Sequence, residues 1–333
     1  MRGIQLERFG GPDVLRAVDL PEPVAGPGQV VIGVAYADVL FLETQVRRGE
    51  AFFTPPLPYV PGGAVGGRIT AVGQDVEPAW LGRQVVAKTV PPAGAGAGGG
   101  YAQRALARVE TVSTLPNGVS LRDATALTHD GPTAVRLFDN AVSEGALRPG
   151  AWVLVPAAAG GLGSLLVQLA RAAGARVVAA ARGERKLALA REELGAHAAV
   201  DYTKAGWTEK VRAVVGERGV DVVFDGAGGT LGGEAFELTA RGALFSAHGA
   251  PGGGFAQLPR EAAAARGVAL AGIEQVQLSA GQAKPLLDRA LFETAGGRLA
   301  PVVGQTFPLA DAAGAHAAIE ARATLGKTLL TVE

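Results

Sequence analysis

The chain has no cysteine among its 333 residues. That excludes a disulfide framework, a thiolate metal site and a cysteine nucleophile. It also has no net charge: Lys+Arg and Asp+Glu number 31 each. A neutral chain offers no electrostatic footprint for nucleic acid or an anionic membrane. No apolar stretch reaches the ~18 residues of a membrane span. The opening segment MRGIQLERFGGPDVL carries Arg2, Glu7, Arg8 and Asp13 and has no apolar run of signal-peptide length. The expected address is therefore cytoplasmic, with no nucleic-acid or membrane partner. No serine sits in a G-x-S-x-G elbow, which removes the common hydrolase reading.

What remains is a composition of 48% apolar and 19% charged residues, as in globular proteins, at a length that suits two domains. The first third reads as strand and turn. A β-branched run covers Gln29 to Ala37, and shorter strands cover Gly66 to Val72 and Gln84 to Thr89. The stretch 91–100, PPAGAGAGGG, reads as a flexible connector. The pattern changes near residue 121, where Leu121 to Asn140 reads as a helix. From Trp152 onward strands alternate with helices. Strands are expected at Trp152–Ala157, Arg176–Ala181, Ala198–Asp201, Val220–Asp225, Ala243–Ala247 and Val268–Ile273. Helices are expected at Leu162–Ala173, Glu184–Leu194, Trp207–Gly216, Leu231–Ala240 and near Pro259–Arg266. Helical stretches at Ala283–Gly296 and Ala310–Ala323 and a final strand, KTLLTVE, close the chain. Six strands with intervening helices imply an α/β fold, a Rossmann-type doubly wound parallel sheet.

The strongest local signal is WVLVPAAAGGLGSLLVQLARAAGA, residues 152–175. A strand enters a glycine turn that opens an amphipathic helix. Gly160 lets backbone approach a pyrophosphate, and Gly163 lets the helix pack closely on the sheet. Ala158 stands where the G-x-G-x-x-G pattern has its first glycine, but the turn sits in a full βαβ unit, the context that supports dinucleotide binding. The second strand ends in Ala181-Arg182-Gly183, without the acid that would hold the ribose hydroxyls of NAD. Arg182 and Lys186 instead offer positive charge to a 2′-phosphate. The expected cofactor is therefore NADPH.

With these residues in view, the chain resembles the zinc-free branch of the medium-chain dehydrogenase/reductase superfamily, the quinone oxidoreductases related to zeta-crystallin. The resemblance runs through RFGGPDVL, PEPVAGPGQVVIGV, VLFLETQVRRG, PGGAVGGRITAVG, AAAGGLG and ARATLGKTLL. It implies a mainly β, GroES-like catalytic domain from residues 1–121 and 285–333 around an NADP-binding Rossmann domain at 122–284, in a homodimer. It assigns Lys186, Tyr202 and Arg322 to the 2′-phosphate, with Lys327 as a further candidate. It assigns Ala159, Gly160, Gly161 and Leu162 to the phosphates. It sets Thr133, Ser246, His248 and Gly249 beside the nicotinamide.

Departures inform the chemistry. Zinc-bearing relatives carry a cysteine after the first long strand, Gly-His-Glu where this chain has Gly62-Gly63-Ala64, and a four-cysteine lobe. Leu40 stands where many quinone reductases have Asn. Hydride transfer is chiefly the cofactor's chemistry, and a conjugated carbonyl substrate needs little further activation. Candidate proton donors are Tyr59, His129 and Asp130. Glu43 reads as structural. Phe41, Phe52 and Phe53 read as pocket wall or core. The function expected is NADPH-dependent reduction of quinones or related conjugated carbonyls. Two readings stand beside it: an enoyl or enone reductase of natural-product or acyl-thioester metabolism, and a non-catalytic NADPH-binding redox sensor.

Overall fold

The computed structural model describes residues 1–90 and 99–333; the expected connector 91–100 lies outside the described residues apart from Gly99 and Gly100. The chain divides into two compact units. One gathers Met1–Pro132, Ala280–Ala295 and Pro301–Glu333, and the other Thr133–Ser279 and Gly296–Ala300. Among the described residues no helix is long and apolar enough to cross a membrane.

The second unit is built on six parallel strands. Their order across the sheet is Ala198–Asp201, Arg176–Ala181, Trp152–Pro156, Val220–Asp225, Thr239–Ala247, Ala269–Ala271. Numbered along the chain this is 3-2-1-4-5-6, the doubly wound order. Adjacent residues Val153, Leu154 and Val155 are all fully buried, as are Val222, Val223 and Phe224. Burial of consecutive residues means that both sheet faces are covered, which explains why these strands read as continuous apolar runs. The direction in which strands are added reverses between the first and fourth strands. Pro156 and Asp225 therefore end their strands beside one another at the switch point, where such sheets bind ligands.

Several helices differ from expectation. The one expected over Leu231–Ala240 occupies Gly229–Phe236 instead. The fifth strand already begins at Thr239, whose hydroxyl donates to Phe236 O at 2.6 Å and closes the turn. The stretch Glu184–Leu194 is α-helical only to Ala188 and then widens into a π-turn, Leu189–Glu193. Helix Leu121–Ser143 runs three residues past its expected end, with Pro132 inside it.

The first unit centres on the long strand Gln29–Val39. It pairs antiparallel with Ala64–Val72, Arg104–Arg108 and the C-terminal Thr328–Thr331. Ile32, Val65, Ile69, Val85, Tyr101 and Leu330 fill its core. The register that matters most is Leu329 opposite Asp38 and Thr328 opposite Val39. It brings Lys327 to Asp38 across 289 residues of sequence.

Candidate active site

In the second unit the glycine turn joins strand Trp152–Pro156 to helix Gly161–Ala172. The helix is capped by Gly160, in extended conformation, with no side chain bonding the first-turn N–H groups. Those donors are orphaned by helix geometry, and the dipole adds partial positive charge, so the end suits an anion. Ala157 holds a left-handed φ of 57° at the tip of the strand. A non-glycine residue there stores strain that the surroundings must hold in place. Gly163 explains the close packing: a Cβ would lie 2.4 Å from Ala157 O and 2.9 Å from Ala158 Cα. Backbone cannot yield as a side chain does. Gly163→Ala is therefore expected to cost about 1–3 kcal/mol by overpacking. It should also lower the thermal midpoint by several degrees in a melting experiment; an unchanged midpoint would refute this account of the turn.

Arg182, Lys186 and Tyr202 come together at the ends of the second and third strands. Asp201 pairs with Ala181 in register, and Tyr202 N donates to Ala181 O at 3.3 Å. Lys186 N closes the same turn on Gly183 O at 3.1 Å. Two acids lie nearby, and both are engaged. Glu184 pairs with Arg191. Asp201 accepts from Gly183 N at 3.1 Å and from Thr203 N and Oγ1 at 2.9 and 2.6 Å. Burial would raise the Asp201 carboxyl, but these bonds outweigh it and hold the group below the usual range. The sequence pattern does not single out Asp201 as part of this site, although Asp-x-Thr at a strand end is a recognisable turn signal. Tyr202 also borders an open cavity of about 450 Å³, lined in addition by Trp207, Thr230 and Glu234, within the size range of ligand pockets.

At the switch point, Ser246, His248 and Gly249 lie at or just past the end of the fifth strand. His248 N and Gly249 N both donate to Asp225 O, at 3.1 and 3.0 Å. Gly249 must be glycine, because a Cβ would lie 2.2 Å from Gly226 O. Burial, opposed by a bond to Ser246, pushes His248 down to about 4, so its imidazole is neutral. Ser246 Oγ lies 3.3 Å from His248 Nδ1 and accepts from Gln275 Nε2 at 3.0 Å. Gln275 is held in turn by Asn140. Neither residue carries a motif that would single it out in the sequence. Thr133 follows Pro132 within helix Leu121–Ser143.

The first unit holds two buried polar clusters. In the first, Glu43 accepts from Leu40 N and Gly63 N, each at 3.0 Å, and from Tyr101 OH at 2.8 Å. Glu43 thus caps its own helix, Phe41–Arg48, and fixes Gly63. The Tyr101 proton goes to Glu43, so His316 Nε2–H donates to the phenol oxygen at 3.0 Å and leaves Nδ1 buried with no partner. Burial first, and then the Arg47 guanidinium, push His316 down to about 3. An unfolded histidine titrates near 6.5. The folded chain therefore binds fewer protons, and the stability tied to His316 is present above about 6.5 and lost as pH falls toward about 3. Melting temperatures measured from pH 7 to pH 4 are expected to fall, and His316→Gln should flatten that fall. An equal slope in the variant would exclude His316 as a cause.

The second cluster is Asp38, His129, Asp130 and Lys327. Asp38 has no exposed surface. Lys327 Nζ lies 2.8 and 3.0 Å from its two oxygens and 3.3 Å from Asp130 Oδ2. Burial would raise the Asp38 carboxyl, but Lys327 and His129 outweigh it and hold the group below its usual range. Burial raises the Asp130 carboxyl despite Lys327, with Asp38 adding to the rise. Lys327 itself is raised, because the two carboxylates overcome the effect of burial. Family resemblance offers Lys327 to the 2′-phosphate; in the structure its ammonium lies against Asp38 and Asp130. Its charge is already matched by two carboxylates, and its side chain is 5% exposed. Arg322, with a left-handed φ of 56°, stacks its guanidinium 4.5 Å from the Phe41 ring. Tyr59 is half-buried; burial, then Glu43, pushes its phenol up to about 12. Phe52 and Phe53, read as pocket wall or core, are an exposed edge-to-face pair.

The fold family includes zinc enzymes, but the donors here do not fit zinc. Among the described residues no group of three His, Cys, Asp or Glu side chains is arranged to hold a metal ion, and the carboxylates of Asp38 and Asp130 are taken up by Lys327. The four histidines are engaged separately, His129 with Asp38, His197 with Arg171, His248 with Ser246 and His316 with Tyr101.

A doubly wound dinucleotide-type unit together with a β unit closed by its own C-terminal strand defines an oxidoreductase of the medium-chain dehydrogenase/reductase class. Residues 26–117 match the alcohol dehydrogenase GroES-like domain, and residues 161–288 match the zinc-binding dehydrogenase family. The mouse quinone oxidoreductase is 33% identical over 328 residues, covering 95% of this chain and 93% of that one. A mycobacterial structure complexed with NADPH is 29% identical with a TM-score of 0.88, covering 99% of this chain and 100% of that one. A solved NAD-dependent alcohol dehydrogenase is 32% identical with a TM-score of 0.87, covering both chains fully. The chain belongs to the quinone oxidoreductase branch of the medium-chain dehydrogenase/reductase superfamily.

Proposed function

We propose that this protein is an NADPH-dependent reductase of quinones or related conjugated carbonyls and that it works without zinc. The observation that carries the reading is the arrangement in the second unit. A helix end without a side-chain cap opens beside the switch point, and Arg182 and Lys186 lie where the neighbouring acids are already engaged. When bound, NADPH supplies the hydride. The turn Ala159, Gly160, Gly161 and Leu162 holds the phosphates, with Gly160 N closing the turn on Ala157 O and the helix-end N–H groups facing the anion. Arg182, Lys186 and Tyr202 hold the 2′-phosphate by charge-assisted bonds. Ser246, neutral His248, Gly249 and Thr133 orient the nicotinamide. The quinone oxidoreductase relatives and the NADPH-bound neighbour support both the acceptor class and the cofactor. The donor set and the missing cysteines support a zinc-free reaction. A homodimer belongs to the same proposal: strand Ala269–Ala271 ends the sheet and suits pairing with a second copy.

The test is loss of nicotinamide absorbance with NADPH, and in parallel NADH, against 1,4-benzoquinone, an ortho-quinone, an alkyl vinyl ketone and an enoyl thioester. Fast NADPH oxidation by the quinones, unchanged by a chelator, is the expected result. Turnover confined to the enone or thioester would establish the enoyl-reductase reading instead. NADH preference would side with the NAD-dependent neighbour. Silence across the panel with NADPH still bound would point to a sensor.

A further inference from the structure

We propose that Asp225 is a positioning residue for the nicotinamide: it clamps together the loops that follow the fourth and fifth strands and so fixes His248 and Gly249. This role rests on the NADPH reading above. Every residue involved belongs to the second unit.

Asp225 ends strand Val220–Asp225 and has no exposed surface. A buried carboxyl is costly unless it is bonded. Its bonds go to the chain that follows it. Oδ1 accepts from Ala227 N at 3.0 Å and from Gly228 N at 2.9 Å, which sets the turn into helix Gly229–Phe236. The backbone carbonyl of Asp225 serves the other loop, accepting from His248 N and Gly249 N. One residue therefore holds one loop by its side chain and the other by its main chain.

The loops then lock to each other. Gly252 N donates to Ala227 O, and Gly229 N donates to Gly254 O, each at 2.8 Å. Ala227 is the link: its N–H goes to the carboxyl and its carbonyl receives the second loop. Gly226 carries the clamp further, because a Cβ there would lie 3.4 Å from Pro156 O and 3.5 Å from His248 Nε2. The fifth strand ends at Ala247. His248 and Gly249 thus lie past the last residue that the strand itself holds, and the clamp takes over there.

The consequence for the cofactor is conformational. A nicotinamide can turn about its bond to the ribose and present either face. Contacts to the phosphates at Ala159–Leu162, and to the 2′-phosphate at Arg182 and Lys186, leave that rotation open. A rigid wall at His248 and Gly249 closes it and holds the ring in one reactive orientation.

The test is Asp225→Ala with NADP⁺ bound, read by transferred nuclear Overhauser effects between the nicotinamide and ribose protons. Wild type is expected to show one conformer about the glycosidic bond and the variant both. Affinity by calorimetric titration should change little, since the phosphates are held elsewhere. With 1,4-benzoquinone, kcat should fall about 10- to 100-fold while KM for NADPH changes little, the pattern of a misplaced reacting group. Asp225→Asn keeps an oxygen for Ala227 N and Gly228 N and should restore the single conformer and most of kcat. A residue serving stability alone would lower the melting temperature and move neither readout. Gly252→Ala strains the clamp from an exposed position, where a Cβ would lie 2.8 Å from Gly228 O and 2.9 Å from Ala227 O. It should mix the conformers too, and it decides the matter if Asp225→Ala does not fold. Any of these results overturns the proposal: both conformers already in wild type, a single conformer or an unchanged kcat in Asp225→Ala, an Asn variant as impaired as the Ala variant, or a single conformer in Gly252→Ala when Asp225→Ala does not fold. If wild type binds NADP⁺ in one conformer but oxidises NADPH with no acceptor, the reductase reading falls and the clamp is judged on the conformers alone. If wild type binds no nicotinamide dinucleotide, both fall.

Discussion

Lys186→Ala is expected to weaken NADPH about 10- to 100-fold while leaving NADH within about twofold. The range follows from the strength of a hydrogen bond to a charged group, about 1.5–3 kcal/mol, with 1.4 kcal/mol per factor of ten. The reason is local charge balance. An acid at the end of the second strand would repel a 2′-phosphate and hold ribose hydroxyls instead. Here the first acid, Glu184, pairs with Arg191, and Asp201 is spent on the backbone of Gly183 and Thr203. Arg182 and Lys186 are then the charges that a phosphate meets. Arg182→Ala should act in the same direction, and the double variant should reverse the preference toward NADH. Because the contacts are charge-assisted and near the surface, the gap between NADPH and NADH should narrow as salt rises. Fluorescence titration of both nucleotides reads all of this. An equal loss for NADH and NADPH in Lys186→Ala would sink the 2′-phosphate assignment.

The features legible in the sequence are those that neighbouring residues create. The glycine turn is legible because strand, Gly160, Gly163 and helix are consecutive and each answers a separate steric or electrostatic demand. The parallel sheet is legible because burial on both faces writes continuous apolar runs. Arg182, Lys186 and Tyr202 can be grouped because adjacent strands in a doubly wound sheet end side by side. Features set by tertiary pairing are not legible. Lys327 reads as a cation near the C-terminus, available to a phosphate. Its engagement depends on Leu329 falling opposite Asp38, a register fixed by two strands at opposite ends of the chain. Asp38 does leave a trace, as a charge within an apolar strand, and a buried charge needs a partner. The pattern can show that a partner exists without showing which residue it is. Helix ends differ for a related reason: Thr239 closes on Phe236 and enters the sheet early, a choice made by the sheet and not by propensity.

The largest stability effect is expected at this same long-range contact. Lys327→Met should cost about 3–5 kcal/mol, the usual penalty for removing one partner of a buried ion pair. For a unit of this size, that corresponds to a fall of about 10 °C in thermal midpoint. The loss should also depend on pH. Without the ammonium, nothing opposes the desolvation of Asp38, and the Asp38 and Asp130 carboxyls rise above their unfolded values near 3.9. A raised carboxyl destabilises the fold as pH climbs past the unfolded value, because the unfolded chain can then release a proton that the folded chain holds. The gap between wild type and Lys327→Met should therefore be small near pH 4 and widen toward pH 7. Adding Asp38→Asn removes the charge left behind while keeping an oxygen for His129 Nδ1–H. It should recover a large part of the loss, so the two substitutions together should cost less than their sum. A gap that stays constant with pH, or strict additivity in the double variant, would show that Lys327 contributes packing and not charge.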